Sequence, residues 1–404
     1  MKTLFVATVG MGTGLEVDIV PPLINSIREA NPDYLLLFVT EDSKKNGEEI
    51  VRQLDRIEGN FRVHQLRAEK DDIEEIFKEM IDVLRDTMKQ HHISPEDVTA
   101  DFTTGLKTMS AALALSAVQL GFSMLKYISV KRDEQRKVIP GTERFKTLIP
   151  KGIRDSISLQ TAFNLMEHYR FDSALNILGQ LSLLSTSEKR IQKSLTSLAN
   201  AYLRWDLFNH RCFASNYRQA DFNADQKLIR FKVSDETIDL VDQMGNSKEI
   251  TDLMIVDLIN NAERRIKEGR YDDAVARLYR ACEMIAQWRL KEAYGINTSR
   301  VDLNNVKVPE KSRDWLNYCR SRDGNIEIGL QKSYRLLSDM ADGLGAKYDS
   351  LKGLLKERNE SILAHGIKPV EEKTARGMFE RISHLAERII DNYERKRELL
   401  KFPF

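Results

Sequence analysis

Cysteine is scarce in this sequence. Three occur in 404 residues, Cys212, Cys282 and Cys319, and no CxxC or CxxH spacing is present. A zinc site needs closely spaced soft ligands and a disulfide framework needs paired cysteines, so neither is expected, and no metal is assigned. Free thiols point to a reducing, cytoplasmic compartment. An excess of one charge is lacking too: 62 Lys+Arg against 61 Asp+Glu leaves +1. No global basic field exists to hold nucleic acid, and any RNA contact must be local. No run of about 18 apolar residues occurs, which speaks against a spanning helix and a membrane partner. The opening MKTLFVATVGMG has one lysine and a short apolar run that soon meets glycine. It reads as a buried strand and not as a signal peptide. No helix-turn-helix with a basic recognition helix is evident, which weakens a DNA-binding reading.

What is present fits a folded protein of two to three domains, since one domain takes about 100–200 residues. Hydrophobic residues are 42% and charged residues 30%, enough for real cores. Residues 1–150 alternate strand and helix signals. Apolar runs at Thr3–Val9, Tyr34–Thr40, Phe61–Leu66, Val98–Thr103 and Leu125–Val130 are continuous and not alternating. Such runs suit strands buried on both faces of a parallel sheet. Helix-length segments near 15–30, 44–57, 71–91 and 105–120 separate them, so a Rossmann-like α/β domain is expected. Beyond 150 the strand signals vanish. Residues 246–404 read as an all-α domain, and 151–245 as a helical segment that is either a linker or part of that domain. Breaks rich in Asn, Asp and Gly are expected near 211–250 and 295–328. His168–Ala174 faintly echoes Gly269–Ala274, 100 residues on, each with an aromatic–acid–x–Ala pattern opening a helix.

The first strand runs into Gly10-Met11-Gly12-Thr13-Gly14. Glycines there permit a tight turn and let backbone amides approach a phosphate, with a helix N-terminus behind them. The dinucleotide fingerprint GxGxxG fails at Leu15, and Pro21-Pro22 should interrupt the helix that would face a pyrophosphate. Glu41 or Asp42 after the second strand would suit a ribose hydroxyl, which keeps an NAD-type enzyme as a competing reading. A second loop, Asp101–Ser110, follows another buried strand and opens an Ala/Leu-rich helix. It offers the hydroxyls of Thr103, Thr104, Thr108 and Ser110, a flexible Gly105 and the cation Lys107. Two polar βα loops at one sheet edge make a nucleotide-sized cradle.

A strand followed by Thr104-Gly105-x-Lys107-x-Met109-Ser110 and a helix, behind a glycine turn on the first strand, resembles the CARF domains of CRISPR-associated effectors. Members more often carry two glycines where this chain has Thr104-Gly105. The resemblance implies a dimeric sensor that binds a cyclic oligoadenylate across its two-fold, with cyclic tetra-adenylate the expected ring. Gly10, Gly12, Thr13, Gly14, Thr103, Thr104, Gly105 and Lys107 are the expected ligand-binding residues.

Near the C-terminus the chain reads Arg358-Asn359-Glu-Ser-Ile-Leu-Ala-His365-Gly366. Leu351, Leu354, Leu355, Ile362 and Leu363 predict a helix with an apolar stripe, and Gly366 then Pro369 fit its end. His365 would sit in the last turn, two turns from Arg358 and on the same face. A fixed cation beside an imidazole of near-neutral pKa suits RNA cleavage by the adjacent 2′-hydroxyl. Spacing alone is weak, because Arg85/His92 and Arg204/His210 have similar separations. Neither has Asn directly after Arg nor Gly directly after His.

The full string resembles the R-x(4–6)-H signature of HEPN ribonucleases, an all-helical family. HEPN behind CARF is the arrangement of the auxiliary ribonucleases of type III CRISPR systems. The resemblance implies a metal-independent endoribonuclease acting on single-stranded RNA, with Arg358, Asn359 and His365 catalytic in a composite site of a homodimer. A non-catalytic nucleotide-sensing regulator or scaffold is the alternative. Arg277, Arg280 and Glu283 share one helix stripe and are either a supporting surface or an exposed face. Trp205, Trp288 and Trp315 are scattered and read as core. The basic tail Glu394–Lys401 reads as a solvated helix end.

Overall fold

The computed structural model describes residues 2–11, 20–54, 60–129, 142, 144–182, 185–353, 360–363 and 366–404. The chain divides into two compact units, residues 1–159 with 181–184, and residues 160–180 with 185–404. The division falls inside one helix, Pro150–Glu167. No helix among the described residues is long and apolar enough to cross a membrane.

The first unit is an α/β sandwich around a six-stranded sheet. Its strands are β1 Leu4–Val9, β2 Tyr34–Val39, β3 Phe61–Gln65, β4 Val98–Asp101, β5 Met124–Ser129 and β6 Arg144–Leu148, in the order β3-β2-β1-β4-β5-β6. The first five are parallel; β6 runs antiparallel to β5 at the edge. Among the described residues, helices α1 Val20–Ala30, α2 Lys44–Arg52, α3 Ile73–His91 and α4 Lys107–Leu120 cover the sheet. Alternation of side chains along each strand builds two separate cores. Phe5, Ala7, Val9, Leu35, Leu37 and Val39 face α1 and α2 through Leu23, Ile24, Ile27 and Ile50. Leu4, Val6, Leu36, Phe38, Val98 and Ala100 face α3 and α4 through Met80, Leu84, Met109 and Leu113. All six residues of β1 are buried, as an unalternated apolar run requires when both faces are covered. The expected parallel strands are all present. Strand β6 was not expected, because RFKTL is exposed throughout and carries no burial signal.

One expectation about α1 is corrected. Pro21 and Pro22 do not interrupt the helix; they stand in the first turn of its described span. The fixed proline φ already suits helical backbone at these two positions.

The second unit is helical. It contains α5 Pro150–Glu167 from residue 160 on, α6 Phe171–Gln180, α7 Thr186–Asp206, α8 Phe213–Tyr217, α9 Asp235–Asn246, α10 Asp252–Lys267, α11 Tyr271–Tyr294, α12 Glu310–Asn317, α13 Leu330–Asp339, α14 Glu372–Glu387 and α15 Tyr393–Leu399. Helices α8, α9 and α12 lie where loops were expected. In α9, Ser234 caps Thr237 N, acids fill the first turn, and Ile238, Val241 and Met244 recur on one buried face.

The faint echo between two sequence segments is a shared turn. Tyr169 and Gly269 both take positive φ, +59° and +72°. Arg170 N donates to Leu165 O at 2.9 Å, and Arg270 N to Arg265 O at 2.8 Å. Ala174 and Ala274 then close the first turn of the following helix onto Arg170 and Arg270.

Polar bolts join α7 to α10. Asp206, 7% exposed, receives Arg264 Nε and Arg265 Nη2, both at 2.9 Å. Asp257, fully buried, receives Trp205 Nε1 at 2.9 Å and bonds His210 Nε2 at 2.7 Å. His210, one of the residues that mimicked the Arg/His spacing, is thus a core group. The basic tail is corrected as well: it is not a free solvated end. Lys396 pairs with Asp252 at 2.5 Å and Arg397 with Glu263 at 3.1 Å on α10, and Arg395 pairs with Glu236 at 2.7 Å.

Candidate ligand-binding loops and nuclease motif

In the first unit the C-terminal ends of β1 and β4 bring two loops into backbone contact. A Cβ on Gly10 would stand 2.8 Å from Gly105 N, and one on Gly105 would stand 2.9 Å from Thr8 Cβ. Gly105 also has φ +100°, which L side chains avoid. Thr8 and Thr104 lock the contact reciprocally, each hydroxyl donating to the other's carbonyl oxygen. Asn46 Nδ2 donates to Gly10 O at 2.9 Å.

Beneath the loop lies Asp101, fully buried at the end of β4. One oxygen accepts from Thr103 N at 2.9 Å and Thr103 Oγ1 at 2.5 Å; the other accepts from Ser26 Oγ at 2.7 Å. Thr103 Oγ1 in turn accepts from Ile128 N at 2.8 Å. The hydroxyls of Thr103 and Thr104 are therefore committed inside the fold. What the loop turns outward is Lys107, exposed and without a side-chain partner among the described residues, at the start of α4. No side chain caps this helix, and no acid lies in its first turn. Its leading amides and Lys107 make a local positive end. Gly10, Thr104, Gly105 and Lys107 thus share one sheet edge. Gly12, Thr13 and Gly14 lie outside the described residues.

Beside α4 a cavity of about 380 Å³ opens between the ends of β2 and β3, lined by Thr40, Glu41, Gln65, Arg67, Lys70, Leu106 and Met109. The loop after β3 forms one wall, and Glu79 of α3 holds it. Its carboxylate accepts from Arg67 N at 3.0 and 3.1 Å, Ala68 N at 3.0 Å and His64 Nε2 at 2.8 Å. Arg62 Nη2 faces His64 Nδ1 at 3.4 Å, which assigns the imidazole proton to Nε2. Burial pushes the Glu79 carboxyl up, but the bonds from His64, Ala68 N and Arg67 N outweigh it and hold the group below its ordinary value. Lys70 pairs with Asp42, and Thr108 Oγ1 donates to Lys70 O at 2.7 Å, which ties the wall to α4. None of this was legible in the sequence, where Glu79 is one acid among several on an amphipathic helix.

In the second unit Arg358, Asn359 and His365 lie outside the described residues. Their flanks correct one expectation: no continuous helix runs from Arg358 to His365, because Glu360–Leu363 is a turn. Ser361 pairs with Lys368 in an isolated bridge, and Gly366 N donates to Ser361 O at 3.1 Å. A Cβ on Gly366 would stand 1.7 Å from Glu360 O, so this glycine serves a close backbone approach. Val370 N donates to Asp272 Oδ2 on α11 at 3.2 Å, which fixes the exit of the turn. The turn leaves Ile362 65%, Leu363 51% and Ile367 91% exposed. On α11, Arg280 pairs with Glu283, and Arg277 pairs with Asp273 at 3.4 Å.

A Rossmann-like unit with polar βα loops, followed by an all-helical unit, defines a two-part α/β-plus-helical protein. Residues 243–389 match the Csm6 HEPN domain model. Csm6 of Enterococcus italicus, bound to cyclic hexa-2′-fluoro-hexa-dAMP, superposes over 100% of both chains with a TM-score of 0.61 at 13% identity. Can2 from Sulfobacillus thermosulfidooxidans, in complex with cyclic tetra-adenylate, aligns over 52% of this chain and 68% of its own at 12% identity, with a TM-score of only 0.25. No curated protein matches the sequence. Residues 243–389 thus match a HEPN domain, and the chain as a whole has the fold of Csm6 across both units.

Proposed function

We propose that this protein is a cyclic-oligoadenylate-activated, metal-independent endoribonuclease that cuts single-stranded RNA in antiviral CRISPR defence. The observation that carries the reading is that the HEPN match at 243–389 contains the Arg358-Asn359-x5-His365 string. The 2′-oxygen attacks the adjacent phosphorus, the bond to the 5′-oxygen breaks, and a 2′,3′-cyclic phosphate and a 5′-hydroxyl result. Arg358 stabilises the charge that develops on the phosphoryl oxygens. His365 carries the proton lost by the attacking 2′-hydroxyl to the departing 5′-oxygen. Asn359 orients the phosphate, and a second copy of the chain completes the site. The exposed Ile362, Leu363 and Ile367 beside the motif favour such a pairing.

The activator binds the first unit, where Gly10, Thr104, Gly105, Lys107 and the free amides of α4 favour phosphate groups. Gly12, Thr13 and Gly14 belong to the same site. Cyclic tetra-adenylate is the proposed ring. The hexameric analogue on the Enterococcus protein makes cyclic hexa-adenylate the ring to test beside it. The ligand activates by binding the cleavage-competent state more tightly than the resting one.

The test is cleavage of a fluorogenic single-stranded RNA in EDTA, with and without each ring. Cleavage with one ring, abolished in Arg358→Ala and His365→Ala at unchanged thermal stability, is the expected outcome. Normal cleavage by both variants refutes the catalytic assignment. Tight ring binding with no cleavage makes the chain a regulator instead.

A further inference from the structure

Tyr318 is 92% exposed, an unusual position for so large a ring. It ends α12, whose inward side is Ser312 and Leu316. Lys311, Trp315 and Tyr318 fall at i, i+4 and i+7 and share the adjacent face. The indole of Trp315, expected in the core, is only half-buried. Its Nε1 donates to Asp339 Oδ2 at 3.0 Å, an oxygen that also accepts from Ser312 Oγ at 2.7 Å. The Arg335 guanidinium lies over the same ring, 4.5 Å from its centroid. Lys311 pairs with Asp339 at 3.6 Å and Arg335 covers Trp315, so Tyr318 is the open ring on this face.

A rigid turn continues it. Arg320 bridges to Ile326, Gly324 N donates to Ser321 O at 3.0 Å, and Arg320 Nη1 donates to Gly324 O at 2.7 Å. Arg322 stands on this turn. The charged groups of Arg313, Arg322 and Lys332 have no ion pair among the described residues. Residues 306–335 hold seven Lys/Arg against four Asp/Glu, an excess of three in a chain whose total is +1.

We propose that this face of α12 and the turn after it form a binding surface for single-stranded RNA, separate from the Arg358–His365 motif. A base stacks on Tyr318, and Arg322 and Lys332 take phosphates. Base–aromatic stacking and uncommitted cations are what single strands need, and no sequence is read. A protein partner fits less well, because the residues around Tyr318 – Asn317, Arg320, Ser321, Arg322 and Asp323 – are polar and exposed, with no apolar patch to bury. The proposal rests on the ribonuclease reading for the identity of its partner.

The test uses the full-length protein and a fluorescein-labelled, fully 2′-O-methylated RNA dodecamer, which lacks the attacking hydroxyl. Fluorescence anisotropy should show Kd raised about tenfold in Tyr318→Ala and nearly unchanged in Tyr318→Phe. Arg322→Ala should lower the slope of log K against log salt by about 0.7. Both sites are exposed, so thermal stability should match wild type. No measurable binding by wild type overturns the proposal. So does unchanged affinity in Tyr318→Ala and Arg322→Ala, or an equal loss in Tyr318→Phe. A change of solution mass in Tyr318→Ala with RNA affinity intact makes the face a protein contact and also overturns it. Wild-type cleavage of unmodified RNA is measured beside these. Tyr318-dependent binding without cleavage removes the nuclease reading and keeps the surface; cleavage without Tyr318 dependence does the reverse.

Discussion

Replacing Asp101 with Ala should loosen the loop after β4 and its tie to α1 at once. The carboxylate is fully buried and accepts three bonds, from Ser26 Oγ at 2.7 Å, Thr103 N at 2.9 Å and Thr103 Oγ1 at 2.5 Å. Alanine leaves Ser26, itself fully buried on α1, and the Thr103 amide without acceptors. Each stranded donor costs about 1–3 kcal/mol, and bonds to a charged acceptor lie at the upper end. The Thr103 hydroxyl can turn elsewhere, so the loss should be about 3–5 kcal/mol. Asn is nearly isosteric and keeps one acceptor oxygen for Thr103, so Asp101→Asn should lose about half as much. The chain has two units, and a single global unfolding transition would blur them. Hydrogen exchange read by mass spectrometry separates them. Peptides covering 20–30 and 98–110 should lose protection in Asp101→Ala while those of α10 and α11 keep theirs. Unchanged protection in 98–110, or a loss below about 1 kcal/mol, would refute the claim that this carboxylate holds the loop.

Gly105→Ala should displace the loop, since φ is +100° and the new methyl would meet Thr8 Cβ at 2.9 Å; a cost of about 1–3 kcal/mol is expected by thermal melt, with ring affinity reduced beside it. The Glu79 carboxyl is held below its unfolded-state value, so its stabilisation is complete above about pH 4.3 and is lost as pH falls through the lower folded value. Glu79→Gln should therefore flatten the acid limb of stability against pH, measured by urea titration; an unaltered limb would count against it. Asp206→Ala strands the Arg264 guanidinium and leaves Arg265 with Glu268 alone, each arginine being 4% exposed, and should destabilise the helical unit by about 3–5 kcal/mol in urea unfolding, whereas a loss under about 1 kcal/mol would mean the arginines find other partners.

The parallel strands could be read from the sequence because a two-sided burial requirement writes itself as an unbroken apolar run, as in LFVATV and YLLLFV. Glycines facing a crowded backbone were legible for a similar reason: at Gly10 and Gly105 no side chain fits. The Arg-Asn-x5-His-Gly string near the end pointed to HEPN before any coordinate, and the Csm6 HEPN domain model matches residues 243–389. Tertiary structure decided the rest. Thr103 and Thr104 carry hydroxyls that suit a ligand, yet the fold spends them on Asp101 and Thr8, and only the packing of β1 against β4 could reveal this. The apolar spacing of Leu351–Leu363 suits a helix, but the bridge from Ser361 to Lys368 turns the chain at Glu360 instead. Glu79 and Tyr318 look ordinary in one dimension. Long-range contacts make the first the anchor of a loop, and the lack of covering side chains among the described residues makes the second an exposed ring. Local periodicity is set by neighbours in sequence; which polar group is satisfied, and which is left to bind something else, is set by neighbours in space.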